Sequence, residues 1–483
     1  MRGQIERIGA DLAAGHNCVW LVPDEFVTEG VAEELHRTVL SRWPEHVELP
    51  EPAAALENHQ LVPEATWADF TASDVPVLEG FDDGFNIGWD NPSSSPLTIP
   101  ASTGGGPSEL MTRLAKELSL DPEQVVDELT AADAHWHPVI GIRAWAEPDP
   151  SQMPGGRVVE RGNEIARLIR ALGAAIKEIG LSPDRSPRVL VTSRLQDLPS
   201  LLPDELELEL ATTNVHWWWG TVGRLDSAEL LAGLGERHPL RSPAASGAVL
   251  RARLLRAVRE EVVCELCGPD MKLAASLFEC WDGSNRTLDD SLRSCLSAQR
   301  REPPSPIPSL YSGAGIQQKP PSGLRQAWAR GIVQTWEGRS RLHPVVWHTD
   351  DGAGRPDQFN ILVSQAQARV LMPWVEEARR RLAEVALSYA NRPVLELVEL
   401  HMRRKLPDHR TRPERTFACA EAADLQRACL QGHIGLPFEE RQLLSTLVKV
   451  RNVLSHRGVL RDAELDDLCD KLGAADLRWG REE

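Results

Sequence analysis

NCVWLVPDEFVTEGVAEEL, residues 17–35, changes its periodicity in the middle, and that change decides how the front of the chain folds. From Asn17 to Pro23 the run is short and apolar, the pattern of a strand buried on both faces. From roughly Thr28 to Leu40 the pattern becomes that of an amphipathic helix. The same alternation returns downstream. PVIGIRAWA (Pro138–Ala146) reads as a strand, VVERGNEIARLIRALGAAIKEIG (Val158–Gly180) as a helix, and RVLVTSR (Arg188–Arg194) as another strand. Strands separated by helices of this length imply a parallel sheet covered on both faces, an α/β domain. After Leu225 the pattern turns helical through about Ala298.

A chain of 483 residues is too long for one ordinary core, so two or three domains are expected. Hydrophobic content of 42% and charged content of 26% are those of a globular protein. No apolar run approaches the roughly 20 residues of a membrane span. MRGQIERIGADLAAG at the N-terminus carries charge where a signal peptide needs its apolar stretch. A cytoplasmic protein with no membrane partner is the expectation. The eight cysteines lack paired spacing and read as reduced thiols. Cys264 and Cys267 form a C-x-x-C, with Cys280 and Cys295 beyond it, but a zinc site wants a second close pair. Small buried thiols on an amphipathic helix are the better reading, and no metal or other cofactor is expected.

Pro, Gly and Ser crowd REPPSPIPSLYSGAGIQQKPPSGL, a composition that sustains neither helix nor central strand. It divides the chain into an α/β domain (1–225), a helical extension (226–300), a linker (301–325) and a helical bundle (326–483). A second such stretch, DNPSSSPLTIPASTGGGPSEL from Asp90 to Leu110, reads as a long loop. Its Gly104–Gly106 precedes a helix beginning near Ser108, but no Lys follows, and a flexible loop is the reading rather than an anion cradle. Trp217, Trp218 and Trp219 could stack on bases. Three consecutive aromatics cannot share one face, so anchorage in the core is preferred.

The formal net charge of −18 is unevenly spread. Residues 361–483 hold 20 Lys and Arg against 19 Asp and Glu, which leaves −19 for residues 1–360. Within the back part, HMRRKLPDHRTRPER (His401–Arg415) holds six basic and two acidic residues. It reads either as a solvated connecting loop or as a basic patch for a polyanion.

RVLVTSR, with Thr192, Ser193 and Arg194 at its end, resembles the strand of STAND-type NTPases whose Thr/Ser-Arg pair senses nucleotide. The resemblance rests on that motif and on the order of elements over about residues 1–300. One departure decides the chemistry. A phosphate loop needs G-x-x-x-x-G-K-[ST] after the first strand, because glycines let backbone N–H groups close around phosphates while Lys neutralises them. Here that place reads VPDEFVTEGVAEEL, with Asp24, Glu25 and Glu29 where phosphates would lie, and Gly-Lys occurs nowhere in the chain. The front domain is therefore expected to be a degenerate, P-loop NTPase-like fold with no cofactor-binding residues.

In the back part, ILVSQAQARVLMPWVEEARRRLAEVALSYA repeats Val363, Ala366, Val370, Trp374, Ala378 and Leu382 at helical spacing, with Pro373 expected to kink the helix. Further helices are expected at PVLELVELHMRRKL, AEAADLQRACLQ and RDAELDDLCDKLGAA. Between the last two lies PFEERQLLSTLVKVRNVLSHRG, with Leu443, Leu447, Val450 and Leu454 as its core stripe and Gly458 as its C-cap. Asn452 and His456 share a face, while Arg451 and His456 are splayed by about 140°.

R-N-x-x-x-H late in a helical bundle resembles the R-x(4 to 6)-H motif of the HEPN domain, over about residues 360–475. The resemblance implies an all-α bundle and a metal-independent endoribonuclease working as a homodimer, in which two motif helices face each other across a composite cleft. It implies His456 as general base toward a ribose 2'-hydroxyl, Arg451 as holder of the scissile phosphate, and Asn452 as the residue that orients either the His or the phosphate. Arg403, Arg404, Lys405, Arg410 and Arg412 become candidates for substrate binding. The expected substrate is RNA, with tRNA one class of it. The expected setting is a bacterial conflict or antiphage system, with the front domain, or a partner protein of that system, as regulator. Two other readings stand beside this one. His and Arg in the last turn of a helix are stabilised by its dipole with no chemistry implied, and the whole chain can serve as a non-catalytic scaffold that binds a partner protein or nucleotide.

Overall fold

The computed structural model describes residues 2–52, 108–131, 136–149, 161–208, 212–237, 246–299, 308–310, 318–348 and 356–480. They form two compact units, 2–216 and 217–483. The boundary falls inside a strand. Gly104–Gly106 lie outside the described residues, although Ser108 does cap the helix that follows, accepting a hydrogen bond from the Met111 N–H at 3.2 Å.

The front unit is built around a parallel sheet. Its elements are α1 (Arg2–Ala13), β1 (Asn17–Leu21), α2 (Asp24–Thr28), α3 (Val31–Leu40), β2 (His46–Glu48), α4 (Glu109–Leu118), α5 (Val125–Thr130), β3 (Val139–Arg143), α6 (Asn163–Ile179), β4 (Arg188–Ser193), α7 (Leu202–Leu208) and β5 (Thr213–Trp217). The sheet order is β2-β3-β4-β1-β5. Every residue of β1 is buried, as its unbroken apolar run requires. The register pairs Cys18 with Leu190 and Leu21 with Ser193, so β1 and β4 end side by side. The helix expected from roughly Thr28 to Leu40 is α3, which starts at Val31 because Gly30 adopts a left-handed φ of 76° and separates it from the short α2. Gly141 on β3 has a different role: a Cβ there would collide with Leu40 and lie 2.9 Å from His36 Nε2, so α3 can approach the sheet this closely only over a glycine.

The back unit contains α8 (Arg224–Arg237), α9 (Ser246–Cys267), α10 (Met271–Cys280), α11 (Leu288–Ala298), α12 (Arg325–Ala329), β6 (Val333–Trp336), β7 (Arg339–Leu342), α13 (Pro356–Ser388), α14 (Val394–His401), α15 (Pro413–Phe417), α16 (Ala422–Leu430), α17 (Phe438–Ser455) and α18 (Asp462–Trp479). One apolar core runs from Leu231 to Ala475. Helix α9, from the expected extension, packs on both α13 and α18, so residues 226–300 share their core with the bundle rather than standing outside it. The region expected to be wholly helical also contains the antiparallel β6–β7 hairpin. Its two-residue turn places Glu337 at φ 51° and Gly338 at φ 76°, the paired positive values of a type I' turn. Arg224 Nε donates to Glu337 Oε1 at 2.7 Å and holds the strained residue from outside the turn.

Trp217 and Trp219 are buried, and Trp217 meets Trp328 edge to face at 5.2 Å beneath the Arg325 guanidinium. Trp328 Nε1 donates to the Trp218 carbonyl at 3.1 Å. The triple tryptophan is a packing element. Cys264 and Cys267 are buried on α9, where burial pushes the Cys264 thiol up to about 12.

Candidate active site

Helix α17 positions the motif. Leu443, Leu447, Val450 and Leu454 are buried along one stripe, which turns Asn452, Ser455 and His456 to solvent and leaves Arg451 half-buried at the margin. The helix ends in a Schellman arrangement: the Gly458 N–H bonds to the Val453 carbonyl at 2.8 Å and the Arg457 N–H to the Leu454 carbonyl at 3.1 Å. His456 is the C-cap, and the left-handed residue is Arg457, at φ 57°. The expectation that Gly458 caps the helix is therefore off by one position. Gly458 is needed for closeness instead, since a Cβ there would lie 2.9 Å from Val453 Cγ1 and 3.1 Å from the Val453 carbonyl.

Arg451 Nη1 donates to Glu421 Oε2 at 2.9 Å, and Glu421 is the N-cap residue of α16, which packs on α17. The His456 ring and the Asn452 amide make no hydrogen bond or ion pair among the described residues. One turn earlier, Lys449 Nζ pairs with Glu464 at 2.8 Å. The helix end thus presents an unengaged imidazole and amide beside a guanidinium held by one surface carboxylate.

The basic stretch lies between α14 and α15, where helix α14 stops at His401 rather than continuing to Leu406. Arg403, Arg404, Lys405, Arg410 and Arg412 are all exposed. Lys405 is tied to Glu399, which also accepts from His409 Nε2 at 3.1 Å. The other four have no ion pair among the described residues. At the head of the stretch His401 is inward: its Nε2 lies 2.9 Å from His433 Nδ1, and burial, with His433 adding to it, lowers its pKa.

Two cavities in the back unit are lined elsewhere. One, of about 680 Å³, lies among Arg251, Arg259, Phe278 and Asp462; the other, of about 940 Å³, lies among Trp336, Arg341, Trp347 and Arg369. Arg451, Asn452 and His456 line neither.

In the front unit the end of β1 and the end of β4 are joined by the Val22 N–H bonding to the Ser193 carbonyl at 2.9 Å. Thr192 Oγ1 lies 2.8 Å from His36 Nδ1, and Arg194 makes a two-pronged contact with the buried Asp197, Nε at 2.9 Å and Nη2 at 2.8 Å. Arg161 joins the same carboxylate at 3.1 Å. Burial works against the Arg194 charge, but Asp197, with Asp24 behind it, holds its pKa above the ordinary value. The groups at the end of β4 are therefore engaged with the protein itself.

The chain matches no protein-family model, no curated protein and no solved structure. Among the described residues no helix is long and apolar enough to cross a membrane.

Proposed function

We propose that the back unit is a metal-independent endoribonuclease of the HEPN type, acting as a homodimer, and that the front unit is a degenerate, P-loop NTPase-like regulator. The observation that carries this reading is the state of the α17 terminus. His456 is solvent-facing and unengaged, Asn452 stands one turn behind it, and Arg451 is held beside them only by Glu421. A general base must reach its substrate's proton, and an exposed imidazole can. His456 would remove the 2'-hydroxyl proton; the resulting oxygen attacks phosphorus, the 5'-oxygen leaves, and the products are a 2',3'-cyclic phosphate and a 5'-hydroxyl. Arg451 would stabilise the charge on the phosphoryl oxygens. Its exposed pair with Glu421 is worth at most about 1 kcal/mol, so a phosphate can displace the carboxylate.

The position of the triad away from both cavities favours the second reading, a non-catalytic binding module, unless a second copy supplies the other wall of a composite cleft. The role of effector in an antiphage or conflict system belongs to the same resemblance. In the front unit, the acidic Asp24 beside Arg194 and the internal satisfaction of Thr192 and Arg194 support loss of nucleotide binding.

The deciding experiment incubates the purified protein with total RNA in EDTA. The nuclease reading expects cleavage products ending in cyclic phosphate, a rate loss of about 10²-fold or more in His456→Ala and Arg451→Ala, and tighter RNA binding in Glu421→Gln. Intact RNA, or equal cleavage by wild type and both alanine variants, establishes the scaffold reading.

A further inference from the structure

We propose that Asp11, Cys18 and His216, contributed by α1, β1 and β5 of the front unit, form a binding site for a zinc-class divalent ion. Two consecutive elements, α1 and β1, and the distant β5 bring these side chains together. Asp11 lies near the end of α1, Cys18 is the second residue of β1, and His216 lies near the end of β5. Their ligand atoms, a carboxylate oxygen, the thiol sulfur and an imidazole nitrogen, all lie within 4.8 Å of one another, a cluster unique among the described residues. Asp11 Oδ2 is 3.0 Å from His216 Nε2.

Oxygen, nitrogen and sulfur at about 2.0–2.3 Å from a tetrahedral ion sit about 3.5 Å from one another. The spacing found here is thus within small side-chain adjustments of coordination. The mixed donor set suits a borderline-soft ion and not magnesium or calcium, which take oxygen alone. The geometry of the pair adds to this. His216 Nε2 is buried and lies 3.0 Å from the Asp11 carboxylate, but the N–H does not point along that contact, so the ring nitrogen and the carboxylate oxygen converge on a shared point instead of closing a linear hydrogen bond. The histidine side chain is 11% exposed and the aspartate 32%, while Cys18 is fully buried. The cluster is therefore open to water on the aspartate side.

Charge balances as well. A thiolate, a carboxylate and a neutral imidazole carry −2, which a divalent ion cancels, whereas the same groups alone leave a buried thiol that stays protonated. Binding breaks the Cys18 S–H bond, releases that proton to solvent and forms a sulfur–metal bond, with no change of oxidation state. The site is independent of the proposed nuclease chemistry, which lies in the other unit and uses no metal.

The test uses the full-length protein, stripped by a chelator and then dialysed with zinc, followed by cobalt(II) as a spectroscopic probe. One zinc per chain is expected, and cobalt should give an intense sulfur-to-metal charge-transfer band. Cys18→Ser should abolish that band, while Cys264→Ser leaves it unchanged. Because Cys18 is fully buried, Asp11→Asn and His216→Gln provide the check that does not disturb the core: each should keep the sulfur band but weaken zinc binding about 100-fold, at the upper end of what even outer-sphere partners of a metal contribute. Substoichiometric zinc, a cobalt spectrum without the sulfur band, or unaltered affinity in both of those variants would overturn the proposal.

Discussion

Arg457 spends its side chain on solvent and its backbone on a left-handed turn that glycine adopts freely. Arg457→Gly should therefore raise stability by about 1 kcal/mol, read as a higher denaturant midpoint at constant slope, while the motif residues keep their places. A fall in midpoint would mean that the Arg457 side chain makes a contact outweighing the strain. His36 offers a test of opposite character. It is buried against Thr192 and Gly141, with Trp145 edge-on at 6.5 Å, and burial, then Arg143 and Arg37, lower its pKa from 6.5 to about 3. The folded state keeps this ring neutral. Below pH 6.5 the unfolded chain takes up a proton that the folded chain refuses, so stability present above 6.5 is lost as pH falls toward 3. Between pH 7 and 5 this one group should remove about 2 kcal/mol. His36→Asn, which keeps a partner for Thr192, should flatten that part of the pH profile of unfolding, and parallel profiles would show that His36 is not the source. At this scale a sequence singles out reactive residue types but not the partners they meet. Arg451, Asn452 and His456 could be picked out from one helix, whereas Glu421 lies 30 residues away, and Asp11, Cys18 and His216 meet only through the pairing of β1 with β5 and the packing of α1 on β1.

Among elements, legibility followed length and periodicity. The apolar runs of β1 and β4 and the stripe of α17 repeat a pattern often enough to be read directly. Strand β2 has three residues, too few for a period, and the β6–β7 turn uses Glu-Gly, outside the Asn-Gly and Asp-Gly pairs that announce a type I' hairpin. The shared core of α9 with α13 and α18 is a tertiary fact that a proline-rich stretch between them concealed. Helix α13 runs unbroken for 33 residues through Pro373, whose ring is exposed. Proline removes one backbone hydrogen bond there and crowds the preceding turn, a cost of about 3 kcal/mol that its restriction of the unfolded chain only partly offsets. Pro373→Ala should accordingly stabilise the protein by about 2 kcal/mol, measured by chemical denaturation. No gain would imply that α13 is shaped around the proline by its packing on α9.

Across the whole molecule the acid is more sharply partitioned than the sequence division near residue 360 suggested. Residues 217–483 carry 38 Lys and Arg against 35 Asp and Glu, a net +3, so residues 1–216 carry −21 of the total −18. If the back unit is the proposed ribonuclease, a near-neutral unit cannot hold RNA by bulk attraction, and binding would rest on local cations. Arg403, Arg404, Arg410 and Arg412 are exposed, make no ion pair among the described residues and can supply them, whereas Lys405 is paired with Glu399. If Arg403 and Arg404 each neutralise one phosphate of a single strand, their joint replacement by alanine should weaken RNA binding about equally for all sequences. It should also reduce the slope of log affinity against log salt by about 1.4, because each phosphate contact contributes about 0.7. The double variant should fold as the wild type does, since both side chains are exposed and make no hydrogen bond or ion pair among the described residues. An unchanged slope with unchanged affinity would place the RNA path elsewhere on the back unit, and loss of cleavage without loss of binding would move these arginines from holding the strand to positioning it at His456.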